Sequence, residues 1–124
     1  MNDKEQNLEF LREVKSFPIA SQFLDFWSKN YPKGEFFKID TSSVIQALSW
    51  NDDTLYIKFK SNAEYMYYDV PFDLFAMGCF SEWLNEFKAN EMIDTSSLDD
   101  LPKTSLGDWF NEMIKGVYEY TRWS

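Results

Sequence analysis

The chain has 124 residues and a formal net charge of −9; 44% of residues are hydrophobic and 19% aromatic, with a single cysteine and no histidine. That length predicts one domain burying roughly two-thirds of its extended surface, with Phe, Trp and Tyr supplying much of the core. The charge argues against general nucleic-acid binding, because phosphate backbones attract basic surfaces.

The missing histidines remove Ser-His-Asp and Cys-His pairs, histidine bases and His-containing zinc sites. The lone cysteine, Cys79, removes thiolate zinc and iron–sulfur sites and any intramolecular disulfide, and suits a reducing compartment. No catalytic residue, metal or cofactor is expected. The opening residues lack the apolar core of a signal peptide, and no apolar run nears the roughly 20 residues of a bilayer span. A cytoplasmic protein with no membrane partner is the expectation.

Taken in chain order, Phe10, Leu11, Val14 and Phe17 mark one helical face over Asn7 to Phe17. Pro18 suits the first turn of a second helix carrying Ile19, Phe23, Phe26 and Trp27, which Pro32 and Gly34 stop. Val44 to Trp50 reads as a strand with Val44, Leu48 and Trp50 on one face. Asn51-Asp52-Asp53 has turn chemistry. Leu55, Ile57 and Phe59 alternate with Tyr56, Lys58 and Lys60 in a second strand, and Glu64 to Val70 forms a third, giving an antiparallel meander. Pro71 opens a helix with Phe72, Phe75, Cys79, Trp83 and Phe87 at helical spacing, though Gly78 interrupts it and allows a kink. After a linker rich in Asp and Ser, Ser105 caps a last helix whose buried stripe is Leu106, Trp109, Phe110 and Met113. Lys115-Gly116 stops that helix, and Val117 to Arg122 closes as a strand.

From about Ser42 to Trp123 the chain resembles the KTSC domain, a module of about sixty residues named for the C-terminal region of some lysyl-tRNA synthetases. The shared features are two turn-linked strands, Tyr65 and Tyr67 on the third strand, and Val70-Pro71 opening a helix. They continue with Ser105 and Gly107, then Trp109-Phe110-Asn111, Ile114, Gly116, Tyr118 and Tyr120. An insertion stands at about residues 81–102, and the helical extension over 1–38 lies outside the resemblance. The synthetase context implies RNA binding. Asp108 and Glu112 stand where members of that family tend to carry basic residues.

Two surfaces follow as candidates. Glu82, Glu86, Glu91, Asp94, Asp99, Asp100, Asp108 and Glu112 form an acidic set suited to a basic partner, with a solvated face as the bland alternative. Tyr65, Tyr67, Tyr118 and Tyr120 form a candidate platform for stacking RNA bases, against ordinary cross-strand packing beside Glu64, Asp69 and Glu119. The pairs Asp52-Asp53 and Asp99-Asp100 read as turns rather than Ca²⁺ or Mg²⁺ ligands, since neither has EF-hand spacing. Lys103-Thr104-Ser105 lacks the glycines of a phosphate loop. Cys79, Trp27 and Trp83 read as core residues.

The expected fold is α+β: a small antiparallel sheet of three to four strands packed by two helices, plus an N-terminal helical pair. The expected function is non-catalytic binding of a protein with a basic surface, such as inhibition of a nucleic-acid-binding protein by an acidic mimic, a role that small phage-encoded inhibitors fill. An RNA-binding module is the alternative, and a carboxylate enzyme ranks last.

Overall fold

The computed structural model describes residues 4–40, 42–89 and 106–122. It is an α+β domain. Helix α1 spans Lys4–Lys15 and α2 Pro18–Asn30; strand β1 is Phe37–Lys38, β2 Ile45–Asn51, β3 Thr54–Phe59 and β4 Glu64–Tyr67. Helix α3 spans Phe72–Ala89, α4 Leu106–Trp109 with a π-helical continuation over Phe110–Ile114, and β5 Tyr120–Arg122 closes the order. The five strands lie in the sheet in chain order, each pair antiparallel.

The turns explain the meander. Asp52 and Asp53 both adopt left-handed backbone, φ 50° and 61°, the type I′ geometry that matches the twist of a two-residue hairpin. Asn62, at φ 73°, closes the next turn, where Phe59 N donates to the Ala63 carbonyl. Asp69, at φ 60°, ends β4 earlier than the Val70 expected from sequence. Val70 N then donates to the Asp53 carbonyl at 2.8 Å and brings the chain to Pro71 and α3.

The face expected for the first strand needs correction. The register of β2 on β3 slips between Ile45 and Ala47, a bulge that inserts one residue and reverses side-chain parity. Ile45, Leu48 and Trp50 therefore share the inner face, and Val44 is 55% exposed. Phe26, read as part of the α2 core stripe, is likewise 45% exposed. Two further differences are small. Phe37–Lys38 pairs with β2 as an added edge strand, and the closing strand starts at Tyr120 rather than Val117.

All helices stack toward the inner face. Leu48, Leu55 and Ile57 are buried beneath them, Phe110 meets Phe59 and Tyr67 edge-on, and Trp50 meets Phe72. Phe23 of α2 then packs on Phe80 and Trp83 of α3, ring centroids 5.1 and 4.8 Å apart, so the N-terminal pair belongs to the same core. Gly78 does not kink α3. A Cβ there would lie 2.7–2.9 Å from three atoms of the Trp109 indole. The glycine is the seat on which α4 rests. Trp109 Nε1 donates at 3.1 Å to the Leu74 carbonyl of the same turn, giving the buried indole its partner.

Candidate functional site

The acidic surface is built on α4. Leu106, Trp109, Met113 and Ile114 are buried, which turns Asp108 and Glu112, one turn apart, to the exterior. The π turn closes with Lys115 N donating to the Phe110 carbonyl five residues back, at 2.8 Å. Such a turn leaves terminal carbonyls without helical donors. The Met113 carbonyl finds one in α1, where the buried Asn7 donates from Nδ2 at 2.8 Å. Lys4, on the same helix, stands 5.3 Å over the Tyr118 ring. Helix α1 thus fixes the acidic helix in place. Between them runs a groove of about 340 Å³ lined by Gln6, Asn7, Phe10, Glu112 and Met113.

Glu82 does not belong to this surface. It is 4% exposed, and its Oε1 accepts a 2.6 Å hydrogen bond from the Asp40 backbone, tying α3 to the loop before β2. Its place on the inward side of α3, one residue before the half-buried Trp83, overrides the general exposure of glutamates. Glu91, Asp94, Asp99, Asp100 and the side chain of Glu86 lie outside the described residues, as do Lys103, Thr104 and Ser105.

The four tyrosines named from sequence do not form one open platform. Tyr65 and Tyr67 pair with Ile57 and Leu55, so they share the inner, helix-packed face. Tyr67 is 4% exposed; burial, with Tyr120 and Tyr65 alongside, pushes its pKa up to about 12. Tyr118 is buried too, and burial raises its pKa despite a bond with Asn7. Tyr120, 60% exposed, meets Tyr65 edge-on at 5.7 Å, and the Arg122 guanidinium stands 5.8 Å from the Tyr65 ring. Two rings and one cation at the sheet edge are what remains of that set.

Cys79 is fully buried and its thiol is pushed well up by desolvation, as befits a core residue. Trp27 and Trp83 are half-buried against the core. Among the described residues no group of three or more His, Cys, Asp or Glu is placed to hold a metal ion, and no helix is long and apolar enough to cross a membrane.

The outer face of the sheet carries residues that the sequence reading does not single out as a set. Register places Ser49, Tyr56, Met66 and Thr121 in one row across β2–β5, and Lys38, Ala47, Lys58 and Glu64 in the next. Tyr68 follows by alternation and its hydroxyl meets Thr121 Oγ1 at 3.0 Å. The period-two pattern of β3 already set Tyr56 and Lys58 opposite to Leu55 and Ile57, so the signal was present in the sequence. No protein-family model matches the chain, and comparison with curated proteins gives no match.

Proposed function

We propose that this chain is a non-catalytic binding domain whose acidic surface engages a basic surface on a partner protein, itself a nucleic-acid binder. The observation that carries the reading is the placement of Asp108 and Glu112. Both are exposed on a helix held rigidly by the Trp109 seat and by Asn7, beside a groove with apolar lining from Phe10 and Met113. Between residues 82 and 112 the chain carries eight acids against two lysines, and of the three whose side chains are described Glu82 is buried while Asp108 and Glu112 are exposed. Charge held on a rigid frame steers encounter and fixes register, while a central apolar contact supplies affinity.

The test is capture from nuclease-treated host lysate at about 50 and about 500 mM salt, where screening lengths differ several-fold. Wild type is compared with a variant carrying Glu86→Lys, Glu91→Lys, Asp94→Lys, Asp99→Lys, Asp108→Lys and Glu112→Lys. A stoichiometric protein partner, held at low salt and lost both at high salt and in the variant, is the expected result. Equal capture of that partner by the variant at both salts would remove the proposal.

A further inference from the structure

We infer that the groove between α1 and α4 seats a basic amphipathic helix of the partner protein. The inference rests on the acidic-surface reading and gives that surface a mode of recognition. Phe10 of α1 and Met113 beside α4 supply the apolar floor, with Gln6, Asn7 and Glu112 at its margins. The hydrogen bond from Asn7 Nδ2 to the Met113 carbonyl ties the two walls together, so the groove is formed before anything binds. Its volume, about 340 Å³, is at the small end for a ligand cavity and suits the anchor side chains of a segment lying across it. The α1 wall from Gln6 to Glu13 runs about 10 Å, which is about two turns of a bound helix.

The charge on α1 decides what the occupant is. Glu9 follows Gln6 by three residues and Glu13 follows Phe10 by three, so both stand on the groove flank of the helix, and both are exposed. With Glu5 they make a row of acids four residues apart. Like charges at that spacing destabilise a helix, and Glu13 in the last turn also opposes the helix dipole. Among the described residues none of the three is in an ion pair. The basic residues of α1 do not offset them, because helical spacing puts Lys4, Arg12 and Lys15 on the opposite flank. There Lys15 is bound to Asp73 at 2.6 Å and Lys4 stands over the Tyr118 ring. The acidic row therefore costs the fold something and gives it no contact in return. It does give the groove a second acidic rim, facing that of Asp108 and Glu112. An apolar floor between two acidic rims is the complement of a helix whose apolar stripe is flanked by Lys and Arg. Met113 adapts to anchors of different shape.

The experiment is a fluorescence-anisotropy titration of the full chain into a labelled synthetic peptide of about 14 residues, at about 50 and about 150 mM salt. Its leucines recur three and four apart on one helical face and its other residues are lysine. A control peptide has the same composition with the leucines spread around the helix. The patterned peptide should bind at least about tenfold more tightly than the control at both salts. Glu9→Lys should weaken that binding at least about tenfold and raise the thermal midpoint of the protein, since it turns two repulsive pairs on α1 into attractive ones. Loss of fold cannot produce those two opposite signs, and Glu13→Gln repeats the test at a second position. Phe10→Gln should narrow the difference between the two peptides. Equal binding of the two peptides, no binding of either, or wild-type affinity in both Glu9→Lys and Glu13→Gln overturns the groove proposal and leaves the acidic-surface reading standing. That reading fails separately, by unchanged lysate capture in the sextuple lysine variant.

Discussion

Tyr67 and Tyr68 are neighbours in sequence and opposites in the structure. Tyr67 lies under the last helix, 4% exposed, with Phe110 edge-on at 5.8 Å. Tyr68 stands on the outer face, half-buried, with its hydroxyl on Thr121. One residue type therefore does two jobs, and strand parity decides which. The inner face packs the helices, and the outer face carries Tyr56, Met66 and Tyr68 beside the Lys38–Asp40 and Lys58–Glu64 pairs. Substitutions should separate the two faces by their effect on stability.

The largest loss is expected at the helix seat. Trp109→Ala empties a buried indole site and should cost about 3–5 kcal/mol in urea unfolding. Gly78→Ala pits a helix-propensity gain of about 1 kcal/mol against overpacking of about 1–3 kcal/mol, and a Cβ under 3 Å from an aromatic ring lets overpacking win. A net destabilisation in thermal unfolding is the expected sign. Asn7→Ala strips the Met113 carbonyl of its buried donor and should cost about 1–3 kcal/mol.

Alkali provides a milder test. The raised pKa of Tyr67 means the unfolded chain, with an ordinary tyrosine near 10, ionises first. Its contribution is intact below pH 10 and is lost as pH rises toward 12. Stability should fall by on the order of 2 kcal/mol across that window, and by less in Tyr67→Phe, measured by urea midpoints at fixed pH. Tyr56→Ala on the outer face should cost under about 1 kcal/mol, well below any inner-face truncation. Smallest of all, Asp53→Gly relieves a left-handed aspartate and should stabilise by about 0.5 kcal/mol.

The sequence made the elements legible where patterns were long. Leu55, Ile57 and Phe59 announced β3, and Pro18 and Pro71 marked two helix starts that the structure keeps. It hid what depends on a partner in space. The bulge near Gln46 leaves no local signal, so parity alone puts Val44 inward. Gly78 interrupts the helical pattern in sequence, and only the Trp109 indole lying on it explains the glycine. Glu82 looked like one acid among many, yet its carboxylate caps a backbone N–H in the loop before β2. The acidic helix residues Asp108 and Glu112 were legible because charge is exposed by default. The tyrosine pattern drew attention to residues 65 and 67 rather than 56 and 68, because a repeated motif is more conspicuous than the parity that sorts it.

The division of labour between the two faces is tested most directly by nitrating the native protein with tetranitromethane and locating the modified tyrosines by peptide mass spectrometry. Tyr120 and then Tyr68 and Tyr56 should react, while Tyr67, Tyr31 and Tyr118, which are buried with raised pKa values, stay protected until the chain unfolds. Nitration of Tyr67 as fast as its neighbour Tyr68 would contradict the assignment of the two tyrosines to opposite faces of the sheet.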